Sequence, residues 1–408
     1  MRIEQTEILI IGAGTSGSVA AGLLRKHGRQ VLIIEREQFP RFSIGESLLP
    51  QSMQYIEEAG FLRDVVEAGF QFKNGAAFAR GEEYTAFDFR DKFSEGWGTT
   101  YQVQRGDFDL ILANAAVRSG AELRYREQVT AVEFDDGKPT VTVTAADGDV
   151  YQVMARHLFD ASGFGRILPR LLKLESPSNF PVRGALFSHV EDRMPAATFD
   201  RNKILITVHP DHVDVWFWTI PFSGGRCSLG VVATQDYLDR YSGEDTERLR
   251  SIVAEVPSLS NLLANAVWDT PSRKLTGYSA NVNSLAGPGY ALLGNAGEFL
   301  DPVFSSGVTI AVRSASLAAA AIAREYAGET VDWHGHYSVP LRRGVDTFRA
   351  LVESWYAGSF QDVIFYEDAS PDIRRMICAI LAGYARDTKN PYVAKPSRLA
   401  ALEEICRA

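Results

Sequence analysis

The chain has 408 residues, of which 46% are hydrophobic, and this length and composition allow two or three domains with sizeable cores. A net charge of −9 argues against nucleic acid or an anionic membrane as the main partner. The cysteines, Cys227, Cys378 and Cys406, lie far apart without a ligand pattern, so we expect a reducing compartment, no disulfide framework and no metal site. No apolar run reaches membrane-spanning length and no signal peptide precedes the first strand, which predicts a cytoplasmic protein.

The first predicted element is a strand that leads into a glycine-rich turn. The apolar run at residues 8–11 is typical of a buried parallel strand, and it ends at Gly12. Gly12 would allow a tight turn, Gly14 a close approach of backbone N–H groups to a pyrophosphate, and Gly17 close packing of the next helix. We predict that helix over about residues 16–27, with its N-terminus facing the phosphates.

A second apolar strand, residues 30–34, ends at Glu35, at about the distance along the chain where a carboxylate accepts from both ribose hydroxyls. Thr15 and Ser16 stand where the helix between the strands begins. An ordinary Gly-rich turn would explain the glycines alone, but strand, turn, helix, strand and acid occur here in order. The segment therefore predicts a site for the adenosine half of FAD or NAD.

An irregular loop joins the second strand to a helix that begins near Pro50. The loop contains FPRFSIGESLLP, and ordered loops beside a cofactor turn often carry binding residues. It resembles the flavin-dependent halogenases, which carry a closely similar FPR-x-x-x-GESLLP loop against the flavin, although some related reductases and hydroxylases share a version of it. The resemblance implies cofactor contacts from Arg41, Ile44, Gly45, Glu46 and Ser47.

Lys73 lies in an apolar, glycine-flanked segment. On the residues alone, it is most simply a lysine whose stem packs on apolar surface while its amine reaches solvent. The segment KNGAAF resembles the halogenase K-x-G-x-x-F element, whose lysine captures hypohalous acid beside the substrate. Burial would lower the pKa of such an amine and make it more available as a nucleophile. By this resemblance Lys73 is the first candidate catalytic residue.

A YQVQRGDFD segment precedes a predicted amphipathic helix over residues 108–119. Flavin contact and a surface ion pair are equally open for Arg105 on the sequence alone, and Asp107 or Asp109 could serve mainly as helix N-terminal acids. A similar element returns the halogenase chain to its FAD domain. The resemblance implies that Gln102 and Arg105 lie near the flavin.

Four alternating segments between residues 122 and 154, with Asp-Gly turns among them, predict an antiparallel meander beside the main sheet. The next strand ends in the sequence DASG. That ending is similar to the second fingerprint of para-hydroxybenzoate-hydroxylase-like flavoproteins, where small residues allow close approach to the pyrophosphate. It implies cofactor contacts from Asp160 and Gly163.

Short runs of β-branched and aromatic residues from 181 to 232 predict an antiparallel sheet, which we interpret as a substrate domain inserted into the FAD-binding domain. One strand would place Trp216, Trp218 and Ile220 on one face, where two indoles can form a rigid wall. An aromatic stripe is more often plain core. This W-x-W-x-I-P segment, ending at Pro221, is nevertheless the signature used for flavin halogenases, where the wall is thought to keep substrate from the flavin.

An apolar strand, a GNA turn and a helix N-terminus follow at residues 289–308. Backbone N–H groups at the positive end of a helix dipole would attract an anion there. The segment resembles the halogenase G-D-A element at the ribityl chain and the D-P-x-x-S-x-G element at the isoalloxazine. The resemblance implies a catalytic role for Ser305, halide-binding amides at Ser306 and Gly307, and cofactor contacts from Gly294, Asn295 and Pro302.

Two departures from the family pattern bear on the substrate. Asn295 replaces the usual Asp, so it could still hydrogen-bond a ribityl hydroxyl but brings no charge. Phe304, which we place in the tunnel wall, stands where free-tryptophan halogenases carry a glutamate beside the serine. The resemblance therefore implies an electron-rich phenol or pyrrole, free or tethered to a carrier protein.

We predict an α/β fold with a Rossmann-type FAD-binding domain at residues 1–180 and 281–330, including a short β insert at about 70–100. A mainly antiparallel substrate domain would cover residues 181–280. Residues 331–408 are predicted to form a helical, aromatic-rich C-terminal region. Such helices often cap the substrate tunnel in this family, and an aromatic lid and a simple docking core are equally open.

The resemblance covers about residues 7–325 and implies a halogenase. In that family hypohalous acid forms at a flavin hydroperoxide and passes to the lysine, here Lys73, and then to the aromatic substrate. No second dinucleotide fingerprint occurs, so we expect a separate flavin reductase to supply reduced FAD, with chloride or bromide as the halide. Two alternatives stay open: a monooxygenase of the same fold acting on an aromatic substrate, and a flavin-binding partner without catalysis.

Overall fold

The computed structural model describes residues 2–195 and 199–407. Its strands, in chain order, are β1 (Ile3–Ile11), β2 (Val31–Glu35), β3 (Gln71–Lys73), β4 (Gly75–Arg80), β5 (Glu83–Asp88), β6 (Thr100–Gln102), β7 (Glu122–Tyr125), β8 (Gln128–Asp135), β9 (Lys138–Thr144), β10 (Val150–Asp160), β11 (Glu175–Ser176), β12 (Arg183–Glu191), β13 (Lys203–Val208), β14 (Trp216–Pro221), β15 (Arg226–Thr234), β16 (Arg273–Thr276), β17 (Asn281–Val282), β18 (Ala286–Gly287) and β19 (Tyr290–Leu292).

The helices, in the same order, are α1 (Thr15–Lys26), α2 (Pro50–Ala59), α3 (Leu62–Glu67), α4 (Arg105–Arg118), α5 (Ile167–Leu171), α6 (Gln235–Leu238), α7 (Asp245–Ala254), α8 (Pro257–Leu262), α9 (Ser306–Tyr326), α10 (Val339–Tyr356), α11 (Ser359–Phe365), α12 (Pro371–Leu381), α13 (Pro391–Ala394) and α14 (Ser397–Arg407). Single 3₁₀ turns cover Gly163–Gly165, Gly294–Ala296 and Pro302–Phe304, and a π turn covers His334–Ser338.

The first sheet has the strand order β18-β19-β10-β1-β2-β7. β1 lies parallel to both β10 and β2, and β10 lies parallel to β19, so the carboxyl ends of these strands meet at one edge. Ile8, Leu9 and Ile10 of β1 are fully buried, as the continuous apolar run predicts for a strand covered on both faces. The phosphate turn and the DASG turn therefore lie side by side at this edge.

The predicted four-segment meander is wrong in its first strand. β7 lies parallel to β2, whereas β8, β9 and the first half of β10 form antiparallel pairs. From Gln152 onward β10 also pairs with β1, so one long strand joins the meander to the parallel sheet. Alternation identifies a half-buried strand but carries no information about the direction of its partner, which is why the sequence misplaced β7.

The second sheet has the strand order β16-β12-β15-β14-β13-β4-β5, and neighbouring strands are antiparallel except for the parallel pair β13 and β4. β4 and β5 come from the insert predicted at about residues 70–100, so that insert completes the substrate-domain sheet. The register places Phe78, Ile206 and Trp218 in line across three adjacent strands. One continuous apolar face thus runs from the insert to the tryptophan strand.

The sequence of residues 243–264 predicts a single helix, and this prediction is wrong. Two helices, α7 and α8, replace it, and the second begins with Pro257. Proline has no N–H to continue the hydrogen bonds of the first helix and is well placed in the first turn of the next.

Helix α9 is apolar and long enough, at 21 residues, to cross a membrane by length and composition alone, but 67% of its most apolar window is buried inside the protein. Ala315 and Ala318 are fully buried where α9 packs against α1. We conclude that α9 is a core helix of the FAD-binding part.

The predicted helical C-terminal region consists of α10 to α14. Helix α10 packs on α9, and Trp355 near its end is fully buried. The indole of Trp355 contacts Phe78 of the second sheet, with ring centroids 6.0 Å apart, and Phe304 ahead of α9, at 5.7 Å. The C-terminal region therefore packs between the second sheet and the turn that precedes α9.

Candidate active site

A cavity of about 540 Å³ lies between the carboxyl edge of the first sheet and the apolar face of the second. Most of the predicted site residues line it: Gly12, Gly14, Thr15, Ser16, Glu35, Arg41, Ile44, Gly45, Glu46, Ser47, Arg105, Gly163, Trp216, Trp218, Ile220, Asn295, Pro302, Ser305 and Gly307. The others are not among its lining residues: Gly17, Lys73, Gln102, Asp160, Pro221, Gly294, Phe304 and Ser306.

The phosphate turn is built for close backbone approach. Gly12 has φ of +98°, and a Cβ there would lie 2.6 Å from the carbonyl oxygen of Ala161. A Cβ on Gly17 would lie 2.0 Å from the carbonyl oxygen of Gly12, so only glycine allows α1 to begin there. Gly14 caps α1 without a side-chain hydrogen bond, which leaves the first N–H groups of the helix available to an anion.

Glu35 lies at the end of β2 and lines the cavity. Its carboxylate accepts hydrogen bonds from the backbone N–H groups of Ala13 and Glu37, both at 2.8 Å. These bonds hold the side chain at the end of β2, beside the phosphate turn. The placement agrees with the predicted ribose contact, which stays a prediction.

Asp109 is the shared hydrogen-bond acceptor at the end of the cavity beside the phosphate turn, which we call the phosphate end. The sequence did not identify this role. The carboxylate is fully buried and accepts from both Arg105, at 3.0 and 3.1 Å, and Arg41, at 3.2 Å. It also accepts from the hydroxyl of Thr15 at 2.8 Å. Two guanidinium groups from distant segments are thus fixed beside the N-terminus of α1. The i, i+4 spacing of Arg105 and Asp109 on α4 was the available signal.

Arg105 also ties the GESLLP loop to the phosphate turn. Its Nη1 donates to the carbonyl oxygen of Ile44 at 2.7 Å, and its Nη2 donates to the hydroxyl of Thr15 at 3.2 Å. Arg105 lines the cavity and pairs with a buried acid, which excludes a surface ion pair, and its contact with flavin stays a prediction.

Two residues predicted to contact the cofactor do not line the cavity and have hydrogen-bond partners within the protein, so their cofactor contacts stay predictions. Asp160 is fully buried and accepts from the backbone N–H groups of Ser162 and Leu168, at 2.9 and 2.7 Å. It shapes the DASG turn, whose Gly163 does line the cavity. Gln102 donates from Nε2 to the carbonyl oxygen of Arg201, which directs its amide towards the substrate domain.

Glu46 stands beside the cavity with one oxygen unpaired. Its carboxylate is 1% exposed, and Oε1 lies 2.7 Å from Nε2 of His189 on β12. Oε2 is buried and has no hydrogen-bond partner within the described residues. A buried carboxylate oxygen normally has a partner, so this atom is suited to a hydrogen-bond donor on a bound ligand.

The DPVFSSG segment turns sharply into α9. Asp301 accepts from the backbone N–H of Val303 at 3.0 Å, and Ser305 adopts a left-handed conformation with φ of +55°. A non-glycine residue in this region is a strained position that is often found at functional sites. The turn brings Ser305 and Gly307 to the cavity, while the side chain of Ser306 is buried behind it.

Both wall indoles are fixed in place. Trp216 and Trp218 have ring centroids 6.0 Å apart, and both line the cavity. Trp218 donates to the hydroxyl of Ser228 at 3.0 Å and lies over Gly230, where a Cβ would come within 2.2 Å of the indole. Trp216 donates to the hydroxyl of Tyr356 at 3.0 Å. The strand β14 therefore presents a rigid aromatic surface to the cavity.

Lys73 is fully buried just behind the cavity. Its Nζ donates to the hydroxyl of Ser47 and to the carbonyl oxygen of Leu48, both at 2.7 Å, and lies 5.5 Å from the ring centre of Phe89. Burial lowers the pKa of this amine to about 7. The amine does not reach solvent, which excludes the interpretation of Lys73 as a surface lysine whose stem packs on apolar groups.

Phe304 belongs to an aromatic cluster on the far side of the DPVFSSG turn. Its ring makes edge contacts with Trp355 and Phe360, at centroid distances of 5.7 and 5.5 Å. Trp355 in turn contacts Phe78. The position therefore contributes an apolar ring and no charge.

Comparison with known proteins identifies the family. The FAD binding domain family matches residues 5–336. The 1H-pyrrole-2-carbonyl-[peptidyl-carrier protein] brominase of Pseudoalteromonas luteoviolacea (strain 2ta16) is 31% identical over 390 residues, which cover 93% of this chain and 92% of the brominase. The chain belongs to the flavin-dependent halogenase family. It is therefore an FAD-dependent enzyme, as predicted.

Two further proteins define how far the likeness of this halogenase-family chain extends. The tryptophan 2-halogenase of Chondromyces crocatus is 32% identical over 341 residues, but this chain covers only 62% of its length. A flavoprotein/dehydrogenase of Cytophaga hutchinsonii has a crystal structure that is 41% identical and superposes with a TM-score of 0.95 over 99% of both chains. The predicted α/β fold with a Rossmann-type FAD-binding part is confirmed.

The residues present fit FAD. The glycine turn admits a pyrophosphate, two fixed guanidinium groups face it, and Glu35 stands at the end of β2. Glu46, which also lines the cavity, offers an acceptor oxygen that has no partner within the described residues. The cavity is also long enough to pass from these groups to the tryptophan wall, since all of them line it.

Proposed function

We propose that this protein halogenates an electron-rich aromatic compound, a phenol or a pyrrole, with Lys73 as the catalytic amine. The observation that carries the proposal is the position of that amine. It is sealed from solvent, yet it donates to Ser47, which itself lines the cofactor cavity. Bound FAD supplies the oxidising chemistry, and an oxidant formed in the cavity has one hydrogen-bonded residue between it and the amine.

The chemistry proposed for Lys73 needs an uncharged or readily deprotonated amine. With its pKa lowered to about 7, a substantial fraction of Lys73 is neutral at neutral pH. A neutral amine can take up a halogen, and a protonated one can donate a hydrogen bond to hypohalous acid. Both forms are accessible near neutrality, which supports either role.

We assign halide binding to the N-terminus of α9, at the amides of Ser306 and Gly307. The cap residue, Ser305, makes no side-chain hydrogen bond to the helix, so the first N–H groups have no capping partner there. These groups and the helix dipole favour an anion. Gly307 lines the cavity, which supports access from the cofactor side.

Substrate choice is proposed from Phe304 and its neighbours. An apolar ring packed between Trp355 and Phe360 offers no charge to an amino-acid ammonium group. A flat, electron-rich ring without an ammonium group suits a wall formed by this residue better than free tryptophan does. The brominase of Pseudoalteromonas luteoviolacea is named for a pyrrole on a peptidyl-carrier protein, and a carrier-tethered pyrrole or phenol is our proposed substrate class.

We further propose that the enzyme works in the cytoplasm with a separate flavin reductase. Within the described residues, the first sheet carries one phosphate turn, which we assign to FAD. Reduced FAD would then be delivered by another protein.

The test combines the protein with FAD, a flavin reductase, NADH, bromide and either a phenol or a carrier-tethered pyrrole. We expect a brominated product, recognised in the mass spectrum by its isotope doublet. Labelled oxygen in the product without bromine would establish the monooxygenase alternative instead. The Cytophaga protein is described as a flavoprotein/dehydrogenase, so halide incorporation has to be measured directly. Absence of oxygen consumption with reduced FAD would favour a flavin-binding partner.

A further inference from the structure

A hydrogen-bonded chain runs behind the cavity from the tryptophan wall to the DPVFSSG turn. Trp216 donates from Nε1 to the hydroxyl of Tyr356 at 3.0 Å, and Tyr356 donates to Oδ2 of Asp301 at 2.8 Å. Asp301 is buried, and its Oδ1 accepts from the backbone N–H of Val303 in the same turn. The chain joins three segments that are distant in sequence: β14, the residues ahead of α9, and the end of α10.

Tyr356 is held for this position by a second contact. The guanidinium carbon of Arg183 lies 3.6 Å from the centre of the tyrosine ring, and Arg183 itself is fixed by the backbone carbonyl and carboxylate of Asp214, at 3.0 and 3.2 Å. Asp214 lies just ahead of the tryptophan strand. The ring is therefore clamped independently of its hydroxyl, and the hydroxyl is free to serve as the link between Trp216 and Asp301.

We infer that Tyr356 is a positioning residue that locks the Trp216 side of the wall to the halide-binding turn, so that oxidant formed in the cavity is used and does not escape. The inference rests on the proposed function, because escape matters only if an oxidant crosses from the cavity to Lys73. It also gives the C-terminal region a role in the reaction, since Tyr356 ends α10.

The geometry explains why a hydrogen bond is needed there in addition to packing. Trp218 lies over Gly230 and bonds to Ser228 on the neighbouring strand, so its own sheet fixes it. Trp216 instead bonds to a residue outside the sheet. Without the hydroxyl of Tyr356, the indole N–H would be buried without a partner, and the side chain would have a reason to move.

The test is Tyr356→Phe, which keeps the ring under Arg183 and removes both hydrogen bonds. We expect FAD affinity to stay within twofold of the wild type, because Tyr356 does not line the cavity. The yield of halogenated product per reduced FAD consumed should fall at least fivefold, and free hypohalous acid or peroxide should rise to match. Tyr384→Phe is the control: its hydroxyl donates to the carbonyl oxygen of Trp97 at 2.9 Å, and it should keep the wild-type yield.

A double variant separates positioning from a general structural effect. In a Trp216→Phe background, Tyr356→Phe should lower the yield by no further amount, because the link is already gone. An equal fivefold loss in both backgrounds, or a wild-type yield in the single variant, would overturn the inference.

A readout independent of turnover keeps the inference distinct from the proposed function. The chain has six tryptophans, so the indole N–H signals of ¹⁵N-tryptophan-labelled protein can be assigned for Trp216 with Trp216→Phe. In Tyr356→Phe the Trp216 N–H should exchange with solvent at least tenfold faster while the other five indoles keep their rates. Unchanged exchange of Trp216 would refute the link. If the wild type makes no halogenated product, the proposed function fails, and this measurement still decides whether Tyr356 holds Trp216.

Discussion

The phosphate end of the cavity and the buried surroundings of Lys73 contain opposite kinds of groups. At the phosphate end, Arg105, Arg41 and Asp109 form a charged network beside open backbone N–H groups. Behind the cavity, Lys73 has two neutral hydrogen-bond acceptors and lies near the ring of Phe89. The phosphate end places charges where a charged ligand can bind, whereas the amine of Lys73 is surrounded by uncharged groups.

This difference shows how the protein can bind a dianionic cofactor in the cavity and still keep the pKa of a nearby amine low. Paired charges at the phosphate end keep their guanidinium groups oriented towards an anion. The same carboxylate placed beside Lys73 would favour the ammonium form and raise its pKa. Keeping acids away from the amine is thus as much a part of the site as supplying them at the pyrophosphate.

The largest expected effect tests the buried amine of Lys73. Lys73→Met keeps an unbranched apolar stem and removes the amine, so we expect halogenated product to fall by roughly 1000-fold, within the range for a positioned proton-transfer or nucleophilic group. FAD affinity should not change, because Lys73 does not line the cavity. Product is measured by mass spectrometry after a single addition of reduced FAD.

Lys92→Met is the matched control for this substitution. Lys92 is also mostly buried, donates to the carbonyl oxygen of Gly96 at 2.8 Å and lies over the ring of Tyr384. Its removal should leave product formation within twofold of the wild type. Normal activity of Lys73→Met would contradict the role assigned to the amine.

The second effect tests whether burial also shifts the pKa of an acid, Asp301, in the DPVFSSG turn. Burial raises the pKa of Asp301 from 3.8 to about 6, so the folded protein favours the protonated form. This contribution to stability is therefore full below pH 4 and is lost as the pH rises through 6. We expect the free energy of unfolding of the wild type to fall by up to about 3 kcal/mol across this window relative to Asp301→Asn. Denaturant titrations at pH 4, 5, 6 and 7 measure the difference, and parallel curves for the two proteins would refute it.

The third effect tests the charged end. Asp109→Asn leaves Arg105 and Arg41 near the cavity but removes the carboxylate that orients both. Extra positive charge would attract FAD, yet breaking a buried ion pair usually costs more than such charge returns. We expect the Kd for FAD to rise about 30-fold, or roughly 2 kcal/mol, in a fluorescence titration.

Asp107→Asn, an exposed residue in the first turn of the same helix, should bind FAD as the wild type does. Tighter binding by Asp109→Asn would mean that net charge, and not orientation, decides affinity at the phosphate end.

The same difference decides how much of the phosphate end and of the surroundings of Lys73 could be predicted from the sequence. The phosphate turn depends on glycine spacing, strand and helix within a few tens of residues, so the amino-acid pattern alone was enough to place Gly12, Gly14 and Glu35. Asp109 was assigned only a helix-terminal role, because nothing local indicates that Arg41, far away in the chain, shares its carboxylate.

The contacts around Lys73 and the tryptophan wall depend on long-range pairing of segments, which a sequence pattern does not encode. Family resemblance identified Lys73, Trp216 and Trp218, but not their partners Ser47, Tyr356 and Ser228. The choice between lid and docking core for the C-terminal region could not be made, because it depends on which side chains of α10 meet the wall. The same limit misplaced β7, which was correctly predicted as a strand but was assigned the wrong partner.

The smallest effect sharpens the contrast at the wall itself. Gly230→Ala would place a Cβ 2.2 Å from the indole of Trp218, against a rigid ring with no flexible end to move aside. We expect a loss of about 1–2 kcal/mol in the free energy of unfolding, as for other overpacked cores, and a lower yield of product per reduced FAD. Gly344→Ala is the control, since its nearest atom would be 4.0 Å away and alanine favours the interior of α10. Suppose that Gly230→Ala matched Gly344→Ala both in the free energy of unfolding and in the product formed per reduced FAD. Trp218 would then not be held against β15, and the wall would be fixed at its Trp216 edge alone.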